Sequence, residues 1–161
     1  MINAERMVNN LCEMVRIPSE SGEEQEFSKY LADKFSTDFK AACRIDSYGN
    51  LIARLDGKQC DSAEPLFFAM HADTVKPGKG IQPIVSDGRI SSSGDTILGA
   101  DCKAGIAEFI EAVLSADRYP PLEICVTREE EVGFGGANHL DFGLLMVKRG
   151  FLLEWMPLMR S

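Results

Sequence analysis

The sequence predicts an α/β domain, a three-layer αβα arrangement around a mixed, mainly parallel sheet. Three observations point there. Short runs of strand character alternate with amphipathic helical stretches along the chain. The run Leu66-Phe67-Phe68-Ala69-Met70 is too short for a helix and apolar on both faces, as a central strand is. Three acid-rich motifs each follow an apolar run: Met70-His71-Ala72-Asp73-Thr74-Val75, the loop Gly94–Gly105 with Asp95 and Asp101, and Thr127-Arg128-Glu129-Glu130-Glu131-Val132-Gly133. In α/β sheets, the space beyond the carboxyl ends of the strands is where ligands gather.

The elements follow in order. Asn3 is placed to cap a first helix whose apolar positions Met7, Val8, Leu11, Met14 and Val15 form one stripe, and Pro18 ends it. Ser21-Gly22-Glu23-Glu24 reads as a capping box opening a second helix with Phe27, Tyr30, Leu31 and Phe35 inward. Two short strands are expected near Cys43–Asp46 and Leu51–Leu55, joined by the turn Tyr48-Gly49-Asn50. A polar loop, Gly57–Glu64, leads to the central strand, with His71 at its carboxyl end. The stretch 84–90 is a hairpin turning at Asp87-Gly88, a pair that accepts positive φ. A third helix is expected to about Asp117, with Ile106, Phe109, Ile110, Val113 and Leu114 as its buried stripe. Then come a strand at Leu122–Thr127, a short helix near Gly135–Leu140 and a last strand at Gly150–Glu154.

Composition narrows the function. The 161 residues suit one domain and not two. A net charge of −8, with no stretch dense in Lys and Arg, argues against a nucleic-acid partner. No apolar run approaches the roughly 18–20 residues of a membrane span. The N-terminus lacks the basic-then-apolar order of a signal peptide, so the expectation is a cytoplasmic protein. Five cysteines, odd in number and without a C-x-x-C pair, read as reduced thiols.

Each chemical motif admits two readings on its own residues. His71 is either a satisfied histidine at a strand end or a metal ligand; Asp73, two residues on, shares its face and is placed to accept the other ring N–H. Asp101, in a glycine-bracketed loop opening a helix, is either an N-cap or a carboxylate bridging two metals. Cys102 reads as a spectator thiol, with no base suitably spaced to make it a nucleophile, and Lys103 as a solvated cation or the partner of a nearby acid. The triplet Glu129-Glu130-Glu131 is either a solvated face or a set of carboxylates projecting into the strand-end crevice. There, one can bind metal while its neighbour takes a proton from water. Gly133, Gly135 and Gly136 make no dinucleotide fingerprint, because Asn138 stands where a third glycine is needed.

In this order and spacing, the motifs resemble those of the cytosolic dinuclear zinc exopeptidases of the peptidase T and carboxypeptidase G type, most closely the peptidase T-like members. The resemblance runs from the first helix to about Leu153. It is carried by His71-Ala72-Asp73-Thr74-Val75, Pro77-Gly78-Lys79-Gly80-Ile81, Asp87-Gly88, Leu98-Gly99-Ala100-Asp101 and Glu130-Glu131. It implies a zinc-dependent exopeptidase fold holding two zinc ions. By the same resemblance His71 is a ligand of one zinc, Asp73 its orienter, Asp101 the bridge, Glu130 the general base, and Glu131 a ligand of the other zinc. Glu154 falls where the family places a further carboxylate ligand; His139 matches no ligand and reads as a surface residue.

The resemblance also implies a short peptide as substrate, cleaved in the manner of an aminopeptidase or tripeptidase. Two alternatives stay open: an amidohydrolase or deacylase acting on N-acyl amino acids, and a non-catalytic metal- or peptide-binding remnant. After the position of Glu154 the family continues into a dimerisation and lid domain, through which its members are often homodimers, and then into a last histidine ligand. Here the sequence reads Trp155-Met156-Pro157-Leu158-Met159-Arg160-Ser161. The expectation is therefore that 1–154 is the N-terminal part of a catalytic domain, incomplete at its C-terminal end, and that 155–161 is a divergent tail left by a frameshift or premature stop.

Overall fold

The computed structural model describes residues 1–60, 63–147 and 150–153. Glu154 and the tail 155–161, to which the sequence assigns a ligand and a truncation, lie outside them. In chain order the elements are helices α1 (Ala4–Arg16) and α2 (Gln25–Phe39), then strands β1 (Ala42–Ile45), β2 (Leu51–Leu55), β3 (Leu66–His71), β4 (Pro83–Ser86) and β5 (Arg89–Ser92). Helix α3 (Lys103–Ser115), strand β6 (Leu122–Thr127), the single-turn helix α4 (Gly135–Asn138), a 3₁₀ turn at Phe142–Leu144 and strand β7 (Gly150–Leu152) follow.

Five strands form one sheet in the order β1-β2-β6-β3-β7. The centre is parallel, β3 lying beside β6 and β7, while β1 and β2 join through antiparallel pairs. The chemistry of each connection explains the mixture. β1 turns straight back into β2 through an Asp46 carboxylate that accepts the backbone N–H groups of Tyr48, Gly49 and Asn50. β3 and β6 run parallel because the long connection carrying α3 separates them. The β4–β5 hairpin stands apart, with Asp87 at φ 51° and Gly88 at φ 72° as the turn requires.

Side-chain alternation puts Leu51, Ala53, Leu55, Met70, Leu122, Ile124 and Val126 on one face of the sheet. All three long helices cover that face through Met14, Val15, Phe27, Leu31, Phe35, Ile106 and Ile110. The opposite face is different. Among the described residues its cover is the segment 134–145. Cavities of about 540 Å³, bordered by Phe67, Ala69, Phe142 and Leu152, and about 320 Å³, bordered by Phe134, Ala137 and Leu140, open there. Phe142 is 71% exposed and Leu152, on the terminal strand of the sheet, 66%. No helix among the described residues is long and apolar enough to cross a membrane.

Local signals mostly hold. Asn3 caps α1 by accepting the Arg6 N–H at 3.0 Å. The capping box at Ser21 does not form: Glu24 occupies the N-cap of α2 without a side-chain cap, and the Ser21 hydroxyl donates instead to Asp73 at 2.6 Å. A buried carboxylate is a strong acceptor for that hydroxyl, while the free N–H groups that open the helix can be served by water.

An apolar terminal strand beside an open apolar face favours self-association. Light scattering at micromolar concentration should show species above the monomer, and Leu152→Lys should reduce them by placing a charge on that strand. A strictly monomeric wild-type chain would remove the argument.

Candidate active site

His71 ends β3 opposite Thr127, the last residue of β6, so the two loops leaving these parallel strands emerge side by side. The loop after β3 continues extended. Ala72 donates to the Thr127 carbonyl at 2.8 Å and Thr74 to that of Ser19 at 2.9 Å. This drives Asp73 into the interior, where its carboxylate is fully buried. One of its oxygens accepts the backbone N–H of Glu130 at 2.9 Å; the other accepts that of Glu131 at 3.1 Å and the Ser21 hydroxyl. One carboxylate thus clasps the acidic loop that follows β6.

The His71 ring is fixed at both nitrogens. Nδ1 lies 3.0 Å from the backbone carbonyl of Asp73 and 3.4 Å from its carboxylate, while Nε2 faces Asp101 Oδ1 at 3.3 Å. Nδ1 is therefore the donor toward Asp73, which leaves Nε2 as the nitrogen available to a metal. Asp101 arrives from the loop preceding α3, whose N-cap is Cys102 rather than Asp101. Two sets of metal-ligating atoms meet here, each lying within 4.8 Å of one another: those of His71, Asp101 and Cys102, and those of His71, Glu130 and Glu131. The structure thus gathers His71, Asp73, Asp101, Glu130 and Glu131 at one place. His139, exposed after α4, stacks on Tyr48 away from them.

Several supporting residues were not legible as such. Arg128 lies between β6 and the triplet and donates to the buried Glu24 carboxylate at 2.7 Å, to the Tyr48 carbonyl at 2.9 Å and to that of Gly22 at 3.1 Å. Glu24 also accepts the Glu129 N–H, and Asn50 accepts that of Arg128. Gly136 carries the loop back against this frame, where a Cβ would collide with Asn50 and with the Arg128 backbone. Lys103, expected as a solvated or acid-paired cation, is 1% exposed. Its ammonium donates to the Met14 and Ile17 carbonyls at the end of α1 and sits 4.4 Å from the Phe27 ring centre. The sequence signal for these roles is weak, since each depends on a partner more than 70 residues away.

The electrostatics follow from burial and neighbours. Burial alone pulls the His71 imidazole down, but the surrounding Asp73, Asp101 and Glu130 carboxylates together raise it to about 9. Burial pushes the Asp73 carboxyl up, and the donors from His71, Ser21, Glu130 and Glu131 outweigh that, holding it at about 2. Burial brings Lys103 down to about 7.

No protein-family model matches the chain. Curated and solved proteins do. The uncharacterized protein YqjE of Bacillus subtilis is 39% identical over 166 residues, covering 96% of this chain and 44% of that one. The crystal structure of aminopeptidase PepT from Bacillus cereus superposes with a TM-score of 0.89 at 38% identity, covering 96% of this chain and 44% of that one. In sequence and fold the chain is similar to the peptidase T-like proteins. A tripeptidase from Staphylococcus aureus gives the same TM-score, 0.89, at 31% identity over 98% of this chain and 45% of that one. The chain thus spans less than half the length of these relatives.

Two outcomes test the frame. Arg128→Met leaves the Glu24 carboxylate buried without its cation, and should cost about 3 kcal/mol in urea denaturation; an unchanged midpoint would count against a structural role for the pair. The second concerns pH in the metal-free chain. The folded His71 pKa lies above its ordinary value, so its stabilisation is complete below about 6.5 and is lost as pH rises through about 9. The folded Lys103 pKa lies below its ordinary value, so its burial cost declines as pH rises from about 7 toward 10.5. The two slopes oppose, and wild-type stability should be nearly flat from pH 7 to 9. Asp73→Asn should lower the His71 pKa, seen by imidazole NMR, and unmask a rise with pH of the order of 2–3 kcal/mol. An unmoved His71 titration would refute the assignment.

Proposed function

We propose that the chain carries the water-activating part of a zinc aminopeptidase or tripeptidase acting on short peptides in the cytoplasm, with residues 1–154 forming part of its catalytic domain. The observation that carries this reading is the convergence of His71, Asp101, Glu130 and Glu131 beyond the carboxyl ends of the parallel strands β3 and β6. The identity and superposition with an aminopeptidase and a tripeptidase support it.

The residues fit a divalent metal pair. A buried imidazole presents Nε2 beside a carboxylate, and two donor groups share that imidazole, one of nitrogen and oxygen atoms and one that adds the Cys102 sulfur, both suited to zinc. His71 would hold one ion, Glu131 the other, and Asp101 both; Glu154, outside the described residues, is the further ligand implied by the family resemblance. Bound zinc supplies Lewis acidity at a scissile carbonyl and lowers the pKa of water. The chain's own residues do the rest. Asp73 sets the His71 tautomer and, through the Glu130 and Glu131 N–H groups, fixes where those carboxylates begin. Glu130 takes the proton of the attacking water and returns it to the leaving amine. The five cysteines are free thiols, which supports a reducing compartment.

Metal content by elemental analysis, with hydrolysis of a tripeptide measured on the same sample, tests the reading. Zinc-dependent cleavage is expected, and Glu130→Ala should lower it by a factor of about 10² to 10⁴ while zinc content is retained. Wild-type turnover in Glu130→Ala would overturn the base assignment. Cleavage of N-acyl amino acids alone would replace the substrate, and zinc without turnover would replace the enzyme reading with that of a binding remnant.

A further inference from the structure

We propose that Cys102 is a thiolate ligand of this centre, giving one metal position a mixed nitrogen, oxygen and sulfur donor set; the inference rests on the metal-centre reading above. Among the described residues, Cys102 is the one cysteine whose sulfur groups with two other metal-ligating side chains, its Sγ and the donor atoms of His71 and Asp101 all lying within 4.8 Å of one another. Both the cysteine and the histidine are buried, at 2% and 3% exposure, so neither is a chance surface neighbour.

Cys102 is the N-cap of α3, directly after Asp101, so its sulfur is carried on the same loop as that carboxylate. Its thiol donates to the Leu153 carbonyl at 2.7 Å, which orients the side chain in the metal-free chain. Tetrahedral zinc, with bonds of about 2.0–2.3 Å, sets its ligand atoms roughly 3.3–3.8 Å apart. Closing the set around an ion therefore takes about an ångström of side-chain movement. On binding, the S–H bond breaks heterolytically. The electron pair stays on sulfur and forms the metal bond, the proton leaves to solvent, and the hydrogen bond to Leu153 is exchanged for that bond. A thiolate biases the position toward thiophilic ions such as zinc, cobalt and cadmium, and away from manganese and magnesium.

The test is spectroscopic. The chelator-stripped chain is titrated with Co²⁺ alone, the visible bands reporting binding and a near-ultraviolet sulfur-to-cobalt charge-transfer band reporting the thiolate. The wild type should show both. Cys102→Ser keeps a hydroxyl that can donate to Leu153, and it should show the visible bands without the charge-transfer band. Its Cd²⁺ affinity should fall about tenfold or more, with its Mn²⁺ affinity changed by less than about threefold. Cadmium NMR of the wild type, which needs no variant to fold, should report one sulfur in the coordination sphere. Visible bands without charge transfer in the wild type would overturn this proposal and leave the metal centre standing. Charge transfer that survives in Cys102→Ser assigns the sulfur elsewhere and also overturns it. No cobalt binding at all would overturn both readings.

Discussion

The carboxylate of Asp73 is the constraint on which the active-site end of the molecule depends. It is fully buried and receives donors from three separate parts of the chain: the Ser21 hydroxyl before α2, the His71 ring on β3, and the Glu130 and Glu131 N–H groups after β6. A buried charge is tolerated only when its acceptor capacity is filled, and here the filling is the tertiary structure itself. The three segments cannot shift independently, because any displacement would leave a charged oxygen without a partner. That fixes His71 and the acidic loop in one geometry before any ligand arrives, as a site of positioned donors requires.

Around it, the molecule is built on two different physical bases. The helix-covered face of the sheet is held by apolar burial, with Met14, Phe27, Leu31, Phe35, Ile106, Ile110 and Ile124 essentially inaccessible. The carboxyl end of the sheet is held by buried polar groups in long-range pairs. Arg128 with Glu24, Asn50 with Gly136, and Lys103 with the end of α1 each join segments distant in sequence. Such pairs add little net stability over an apolar core, but they specify one arrangement, since each mismatch leaves an unpaired polar group. For a loop carrying three consecutive glutamates, specification matters more than net stability.

This division explains what could be read from the sequence. α1, α3, β3, β6 and the Asp87-Gly88 hairpin were legible because periodicity and turn chemistry are local properties, and they fall within one or two residues of the expected bounds. The clustering of His71, Asp73, Asp101, Glu130 and Glu131 was legible because strand-end loops in a parallel sheet are brought together by topology. Ser21 and Lys103 were not. A capping-box pattern scores the hydroxyl against the nearest helix and cannot see Asp73, 52 residues away. A lysine in a loop-to-helix motif reads as solvated until α1 and Phe27 are known to lie over it.

The acid cluster raises a question of charge: how four carboxylates and an imidazole fold together without a cation. His71 answers it. With a pKa of about 9 its ring is protonated at neutral pH, so an imidazolium already stands among Asp73, Asp101 and Glu130 in the metal-free chain. Under the metal-centre reading, a metal would compete with that proton for Nε2 and exchange one positive charge for a larger one at the same point. Its affinity would then gain with rising pH, as the proton becomes easier to displace. The arrangement that makes the acidic motifs tolerable is the one that keeps Nε2 directed at Asp101.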